Sequence, residues 1–249
     1  MRIPLKLVII LVLFLGVHGC TRNGTPIVHP SDVRFVPQSQ PDSVLETGIG
    51  QDPQSGGMFL QWYRTSGASI YKLYRTDSTS TNGAPVSFSS VATLMHSPSV
   101  NDTSYVDPTA QIGTRYYYYL LASTSDGSLT KLSDTINFRL LERPILNFPG
   151  VNATLDSVSY FKWIDNTGGG YTVIRVSDIS TAPQTYLWIS SRLQIYNTNP
   201  TEPFNFDNRA VSGFVSGHTY RWRVDRFNLN GAGVPFEGAR SMWQTFSIK

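Results

Sequence analysis

Two stretches of the sequence decide the fold: Gly113-Thr114-Arg115-Tyr116-Tyr117-Tyr118-Tyr119-Leu120-Leu121-Ala122 and Gly217-His218-Thr219-Tyr220-Arg221-Trp222-Arg223-Val224. In each stretch a glycine turn leads into a run with aromatic or aliphatic side chains at every second position. Successive side chains of a β-strand point to opposite faces, so this pattern predicts a strand with one face buried. The two stretches begin 104 residues apart, which indicates one motif occurring twice.

Two further landmarks repeat in the same order. Phe59-Leu60-Gln61-Trp62 corresponds to Tyr160-Phe161-Lys162-Trp163, and Tyr71-Lys72-Leu73 corresponds to Tyr171-Thr172-Val173. Around them, short strand patterns alternate with turns rich in Gly, Asn, Asp and Pro, which predicts a β-sandwich in each copy. We place the first domain at residues 42–142 and the second at residues 143–249, because Pro144 interrupts any continuing strand.

Composition agrees with an all-β chain. The 249 residues include 15% charged and 12% aromatic residues, with only four Glu and five Lys. Glu and Lys are the usual surface residues of helices, so their scarcity argues against a largely helical protein. The single Cys excludes a disulfide framework.

Both copies resemble fibronectin type III domains. The resemblance is carried by the Trp of the second strand, the Tyr-x-aliphatic third strand and the Gly-x-x-Tyr that opens the sixth strand. It implies two tandem immunoglobulin-like sandwiches, in which the Tyr hydroxyl folds back to the backbone at the sheet corner. The residues expected in the cores are Trp62, Tyr71, Tyr116, Trp163, Tyr171, Tyr220 and Trp222. The segment from Arg192 to Phe206 departs from the family pattern and is interpreted as an insertion.

The first twenty residues are interpreted as a targeting signal. Arg2 and Lys6 precede an apolar run that ends at Val17-His18-Gly19-Cys20. This resembles the lipobox of bacterial lipoproteins, which implies a signal peptide over 1–19 and a lipid on the Cys20 thiol. The alternative is a simple secretory signal with an incidental Cys.

The residues that follow Cys20 complete this interpretation. Thr21, rather than Asp, favours the outer membrane by the same resemblance, and either a periplasmic or a surface-facing position fits. Residues 20–41 are expected to form the lipidated N-terminus and a flexible tether. After cleavage of the signal, 18 basic and 17 acidic residues remain, so the basic isoelectric point is no argument for nucleic-acid binding.

Catalytic and metal-binding patterns are missing from the sequence. The four His residues have no metal-ligand spacing, no G-x-S-x-G occurs, and Gly168-Gly169-Gly170 is not followed by a phosphate-loop Lys. We therefore expect no catalytic residue, no metal and no cofactor, and we predict that the protein is not an enzyme.

The outward face of the first domain is the candidate binding surface. If Tyr116 and Tyr118 point inward, Tyr117 and Tyr119 point outward, beside Lys72 and Tyr74 of the neighbouring strand. Tyrosine is favoured at recognition surfaces, so this face is predicted to bind a protein or a glycan. The alternatives are that Tyr is only a good strand residue, or that the other domain covers the face. In the second copy, Arg221 and Arg223 are expected to form an outward basic stripe.

These observations predict a membrane-anchored cell-envelope lipoprotein that acts as a binding, adhesion or spacer module. One alternative is a carbohydrate-binding accessory lipoprotein, for which Trp188 is the best exposed platform. An enzyme with an unfamiliar site is a further alternative, and it requires a deep pocket with converging polar groups.

Overall fold

A computed structural model describes residues 32–95, 103–127, 130–167 and 169–249. The described residues form eighteen β-strands and no helix, so none of them forms a helix able to cross a membrane. The expected signal segment 1–19, Cys20 and the expected tether up to residue 31 lie outside the described residues.

The first half of the chain contains eight strands. They are β1 (Gly50–Gln51), β2 (Met58–Gln61), β3 (Ile70–Thr76), β4 (Ser89–Met95), β5 (Ser104–Asp107), β6 (Arg115–Ser123), β7 (Thr130–Leu132) and β8 (Ile136–Leu140). One sheet has the order β1-β2-β5, and the facing sheet contains β4-β3-β6-β8, with β7 beside the end of β6.

The second half repeats this arrangement with ten strands. They are β9 (Ile145–Phe148), β10 (Ala153–Leu155), β11 (Tyr160–Ile164), β12 (Tyr171–Asp178), β13 (Thr185–Ile189), β14 (Leu193–Gln194), β15 (Thr201–Pro203), β16 (Thr219–Leu229), β17 (Pro235–Arg240) and β18 (Gln244–Ile248). One sheet has the order β15-β11-β9, and β12 and β16 are the centre of the other. The prediction of an all-β chain with two fibronectin type III-like sandwiches is confirmed.

Each sandwich encloses its own apolar core. The first core contains Trp62, Tyr71, Leu73, Tyr116 and Tyr118. The second contains Trp163, Ile174, Val176, Tyr220 and Trp222. All ten side chains are buried because alternate positions of the facing sheets point toward each other.

The tyrosine corners have the geometry that the family resemblance implies. The backbone N–H of Val215 donates to the Tyr220 hydroxyl over 2.8 Å, and the N–H of Gln111 donates to the Tyr116 hydroxyl over 3.3 Å. In both sandwiches the donor precedes the Tyr by five residues. These bonds fix the turn that starts the central strand of each larger sheet.

The larger sheets of the two sandwiches join into one sheet of twelve strands. Strand β17 runs parallel to β8, with Glu237 opposite Arg139 and Gly238 opposite Leu140. The N–H of Leu141 also donates to the Gly238 carbonyl over 2.9 Å. A Cβ at Gly238 would lie 2.6 Å from the carbonyl oxygen of Arg226 on β16, so the close approach of β17 to β16 requires glycine.

The segment before β1 belongs to the folded body, which corrects the expected tether over residues 32–41. Val33 is buried in the first core, and Phe35 pairs with Trp62. The chain then leaves the first sandwich, reaches the second and returns at β1. We call residues 37–48 the strap. At Gly48 the φ angle is +84°, and a Cβ would lie 2.6 Å from the Gln38 Cα, so only glycine allows the strap to close.

Tyr171 is not in the second core, contrary to the sequence prediction. Register places Ile174 opposite Val224, as Leu73 is opposite Leu120 in the first sandwich. Thr172 therefore occupies the position equivalent to Tyr71, and Tyr171 lies half-buried on the other face of the sheet. The tyrosines of the two third strands match in sequence but differ by one residue in register, and a shift of one residue reverses the face.

Two segments outside the strands separate neighbouring elements, and the expected insertion differs from its interpretation. Residues 133–135 separate β7 from β8, and residues 208–214 form a bend and loop before β16. The expected insertion from Arg192 to Phe206 contains β14 and β15, and β15 pairs with β11 as the edge of the smaller sheet. It therefore supplies part of the sandwich.

Candidate binding surface

The tyrosine surface consists of Lys72 and Tyr74 on β3 with Tyr117 and Tyr119 on β6, and the four side chains are half-buried. Register places Tyr74 directly opposite Tyr119. Their rings stack at a centroid distance of 4.8 Å and an interplanar angle of 15°. The Phe88 ring packs edge-on against Tyr119, also at 4.8 Å. The four predicted residues thus share one face of one sheet.

A buried carboxylate under this sheet holds the two strands in place. Arg75 donates to the Asp107 carboxylate over 2.6 Å, and the Tyr118 hydroxyl donates to it over 3.0 Å. Burial alone raises the pKa of Asp107, but hydrogen bonds from Thr109 and Tyr118 and the charge of Arg75 outweigh it and lower the pKa. The charged carboxylate therefore links β3, β5 and β6 below the tyrosine surface.

The three rings of this surface pack against one another. Tyr74 and Tyr119 each cover one face of the other ring, and Phe88 meets Tyr119 at 61°. Burial, followed by the neighbouring Tyr74, raises the pKa of Tyr119, so its hydroxyl is neutral at physiological pH and both donates and accepts hydrogen bonds. Tyrosine combines an aromatic ring with a hydroxyl, which is suited to contact with a protein surface.

The same face of the second sandwich carries arginines and is covered. The register of β12 and β16 places Arg175 where the first sandwich has Tyr74, and Arg223 where it has Tyr119. Both guanidinium groups are buried, with 1% and 2% exposure. Arg223 is therefore not part of an outward basic stripe, contrary to the sequence prediction.

The strap is what covers this face. Arg175 donates to the backbone carbonyls of Pro41 and Ser43, over 2.5 and 2.9 Å. Glu46 forms ion pairs with Arg223 and Arg240. Asp42 of the strap binds Arg192 and Arg209 at 3.4 and 3.1 Å. Since no such segment among the described residues makes hydrogen bonds or ion pairs with Lys72, Tyr74, Tyr117 or Tyr119, the two equivalent faces have different surroundings.

Asp225 is the anion at the centre of the covered face. It accepts from Arg175 over 2.7 Å and from Arg223 over 2.8 Å. Burial alone raises its pKa, but the charges of Arg223, Arg175 and Arg240 outweigh burial and lower the pKa to about 2. Asp225 thus holds Arg175 and Arg223, and these two arginines also bind the strap at Pro41, Ser43 and Glu46. The charged group therefore joins the strap to the second sandwich.

The cavities among the described residues are small or open. The space between the strap and the second sheet holds about 50 Å³ and is lined by Glu46, Arg175, Asp225 and Arg240. A groove of about 300 Å³ beside Phe35, Ile136 and Phe236 is mostly apolar. No group of three or more metal-ligating side chains occurs in the part of the chain that the structure describes.

Trp188 is not an exposed platform, contrary to the sequence prediction. It is 1% exposed, its ring contacts Phe161 and Phe204, and its indole N–H donates to Asp207 over 2.9 Å. Alternation within β13 does not reveal this, because Phe204 and Phe206, which pack against the ring, come from the segment that was interpreted as an insertion. The strap was also missed, since Pro, Ser and Gln before a first domain are typical of a linker.

Comparisons with known proteins identify no relative by sequence. No protein-family model matches the sequence, and no curated protein matches it. A solved segment of two fibronectin type III domains from chicken tenascin aligns with 88% of this chain and 97% of its own length, at 11% identity and a TM-score of 0.26. The FN1–FN3 domains of chicken CNTN1 align with 89% of this chain and 67% of their own length, at 12% identity and a TM-score of 0.26.

Pectate lyase Pel3 from Pectobacterium carotovorum also aligns, over 52% of this chain, at 15% identity and a TM-score of 0.31. The aligned region spans 36% of the pectate lyase chain. With scores of this size, the fold assignment rests on the strand pairing described above.

Proposed function

We propose that this protein is a non-catalytic lipoprotein of the cell envelope that binds a partner protein through its tyrosine surface. The observation that carries the proposal is the difference between two equivalent faces. The strap covers the face of the second sandwich with ion pairs, whereas Tyr74, Tyr117 and Tyr119 remain half-exposed on the first. Large, rigid and amphipathic side chains of this kind are concentrated in protein interfaces.

The lipid anchor is proposed from the sequence around Cys20. A positive start, an apolar run and a Gly-Cys junction together support cleavage before Cys20 and acylation of its thiol. Each buried methylene contributes about 0.8 kcal/mol, so several acyl chains hold a protein on a membrane. Cys20→Ser is expected to move the protein from the membrane fraction to the soluble fraction. Unchanged membrane association of this variant contradicts the anchor.

The binding surface is tested with a matched pair of variants. The test variant is Tyr74→Ser/Tyr117→Ser/Tyr119→Ser, and the control is Tyr63→Ser/Tyr160→Ser/Tyr196→Ser, which removes three exposed tyrosines elsewhere. Both are compared with wild type by photo-crosslinking in membranes, followed by identification of the crosslinked protein and a binding measurement with that protein purified.

The proposal predicts that wild type and control bind the same protein and that the test variant loses at least about tenfold in affinity, since tyrosine is enriched among the few interface residues whose truncation costs about 2 kcal/mol or more. Equal binding by all three proteins, with unchanged thermal stability, contradicts it. A glycan array with the same proteins separates the carbohydrate alternative, for which Trp188 cannot serve as the exposed platform because it is buried.

A further inference from the structure

Strand β4 is the outermost strand of the joined sheet, next to the tyrosine surface. Among the described residues its backbone pairs with β3 alone. In an antiparallel pair, every second residue directs its N–H and C=O away from the partner strand. Strand β4 therefore presents a row of unpaired donors and acceptors along its far side.

The sequence from Ser78 to Asn101, which contains β4, has no charged residue. No Asp, Glu, Lys or Arg occurs between Asp77 and Asp102, and β4 itself contains no Pro. Folded proteins usually protect such an edge with charge, proline or irregular backbone. In β4 the protection consists of one irregularity in the pairing with β3, opposite Leu73 and Tyr74. The pairing of Ala92–Met95 is regular. At the end of the strand, the Met95 side chain is 67% exposed.

The equivalent edge of the second sandwich is partly covered. Strand β13 occupies the position of β4, beside β12. Its far side accepts a hydrogen bond from the Val211 N–H at the Leu187 carbonyl, over 2.9 Å. Pro183 also precedes β13 by two residues. One copy of the domain thus carries a segment that covers this edge, and the described residues of the other copy contain no such segment.

We propose that β4 pairs with the β4 strand of a second copy of this chain, antiparallel across a two-fold axis. A two-fold contact brings a surface against itself, so any charge on the edge would meet a like charge. The charge-free edge of β4 avoids this repulsion, and its free N–H and C=O groups match those of an identical strand. The pairing extends the twelve-stranded sheet across two copies.

Pairing of β4 with a second copy is tested by sedimentation velocity of the purified full-length chain over a concentration series. Hydrogen exchange of the β4 amides is measured at the same concentrations. The proposal predicts a reversible monomer–dimer equilibrium, with slower exchange in β4 as concentration rises. Met95→Lys brings two charges to the edge and is expected to weaken dimerisation about tenfold. The control Met242→Lys replaces a methionine of similar exposure, 61%, in the second sandwich and is expected to dimerise as wild type does.

Three results overturn the proposal: a monomer at every concentration, a dimer in which the β4 amides exchange as fast as in the monomer, or equal dimerisation of the Met95→Lys variant. If β4 gains protection only when an envelope extract is added, a different strand occupies the edge and self-pairing is wrong. Since the tyrosines are left intact in both variants, these results are independent of the test of partner binding.

Discussion

Asp225 stabilises the fold only while it is charged. It lies between Arg175 and Arg223, and its pKa in the folded protein is about 2, below the ordinary 3.8. A lowered carboxylate pKa gives stability that is fully present above the unfolded pKa and is lost as pH falls through the folded pKa. We therefore expect this contribution to be constant above about pH 5 and to decline between about pH 4 and pH 2.

The variant Asp225→Asn removes the anion and leaves two buried guanidinium groups without it. Breaking a buried ion pair on one side costs about 3–5 kcal/mol, and urea unfolding measures this cost. Asp156→Asn is the control, because Asp156 is 86% exposed beside Lys249 and is expected to cost less than about 1 kcal/mol. Equal free energies of unfolding for the two variants at pH 7 contradict the assignment.

Thr172 gives a test of the register at the same scale. Its side chain is fully buried at the position equivalent to Tyr71, and its hydroxyl has no hydrogen-bond partner among the described residues. Replacing a buried, unpaired hydroxyl with a methyl group removes a desolvation cost, so Thr172→Val is expected to raise the free energy of unfolding by about 1 kcal/mol. A loss of 1 kcal/mol or more in chemical denaturation contradicts this register.

The positions of several core residues follow from the alternation of side chains along a strand. The positions of Tyr116, Tyr118, Tyr220 and Trp222 follow from a two-residue period and a turn glycine. The position of Tyr171 does not, because two Tyr residues that match in sequence align in space only after a shift of one residue. Burial of Arg175 and Arg223 was also beyond a local pattern, since it depends on Pro41, Ser43 and Glu46 more than 100 residues away.

Among elements, the strap has the clearest consequence for stability. Glu46 links it to Arg223 and Arg240 of the second sandwich. Glu46→Ala leaves the buried Arg223 with fewer anionic partners, and we expect a loss of about 1–3 kcal/mol in chemical unfolding and faster proteolysis within residues 37–48. Glu142→Ala is the matched control, because Glu142 is exposed and forms no ion pair among the described residues. Equal cleavage rates for the two variants contradict a stabilising contact by the strap.

The sequence predicted most strands because each has its own period and turn residues. It did not predict the strap or several short strands, among them β15 and β17, and the reason is the same for each. Their residues, such as Thr201–Pro203, are short polar or glycine-containing segments whose partners lie far away in the chain. Elements of this kind form because an existing strand edge accepts them, so their own sequence carries little signal.

At the scale of the whole molecule, three sets of contacts make the two sandwiches one body. Strand β17 extends the first sheet at β8, the strap binds the second sheet, and Glu237 pairs with Arg115 and Arg139 across the boundary. Repeated sequence predicts two copies of a domain and does not predict that they share a sheet. That junction depends on Gly238, where β16 and β17 approach too closely for a side chain.

Through these contacts the two sandwiches and the strap form one cooperative unit that carries the tyrosine surface, and calorimetry tests this most directly. Cooperative units that share a sheet and buried ion pairs unfold together, so scanning calorimetry of the wild-type protein is expected to show one transition whose calorimetric and van't Hoff enthalpies agree. Gly238→Ala, which separates β17 from its neighbours, is expected to split that transition or lower its midpoint. Two separate transitions in the wild-type protein, each with the enthalpy of a domain of about 100 residues, contradict the claim.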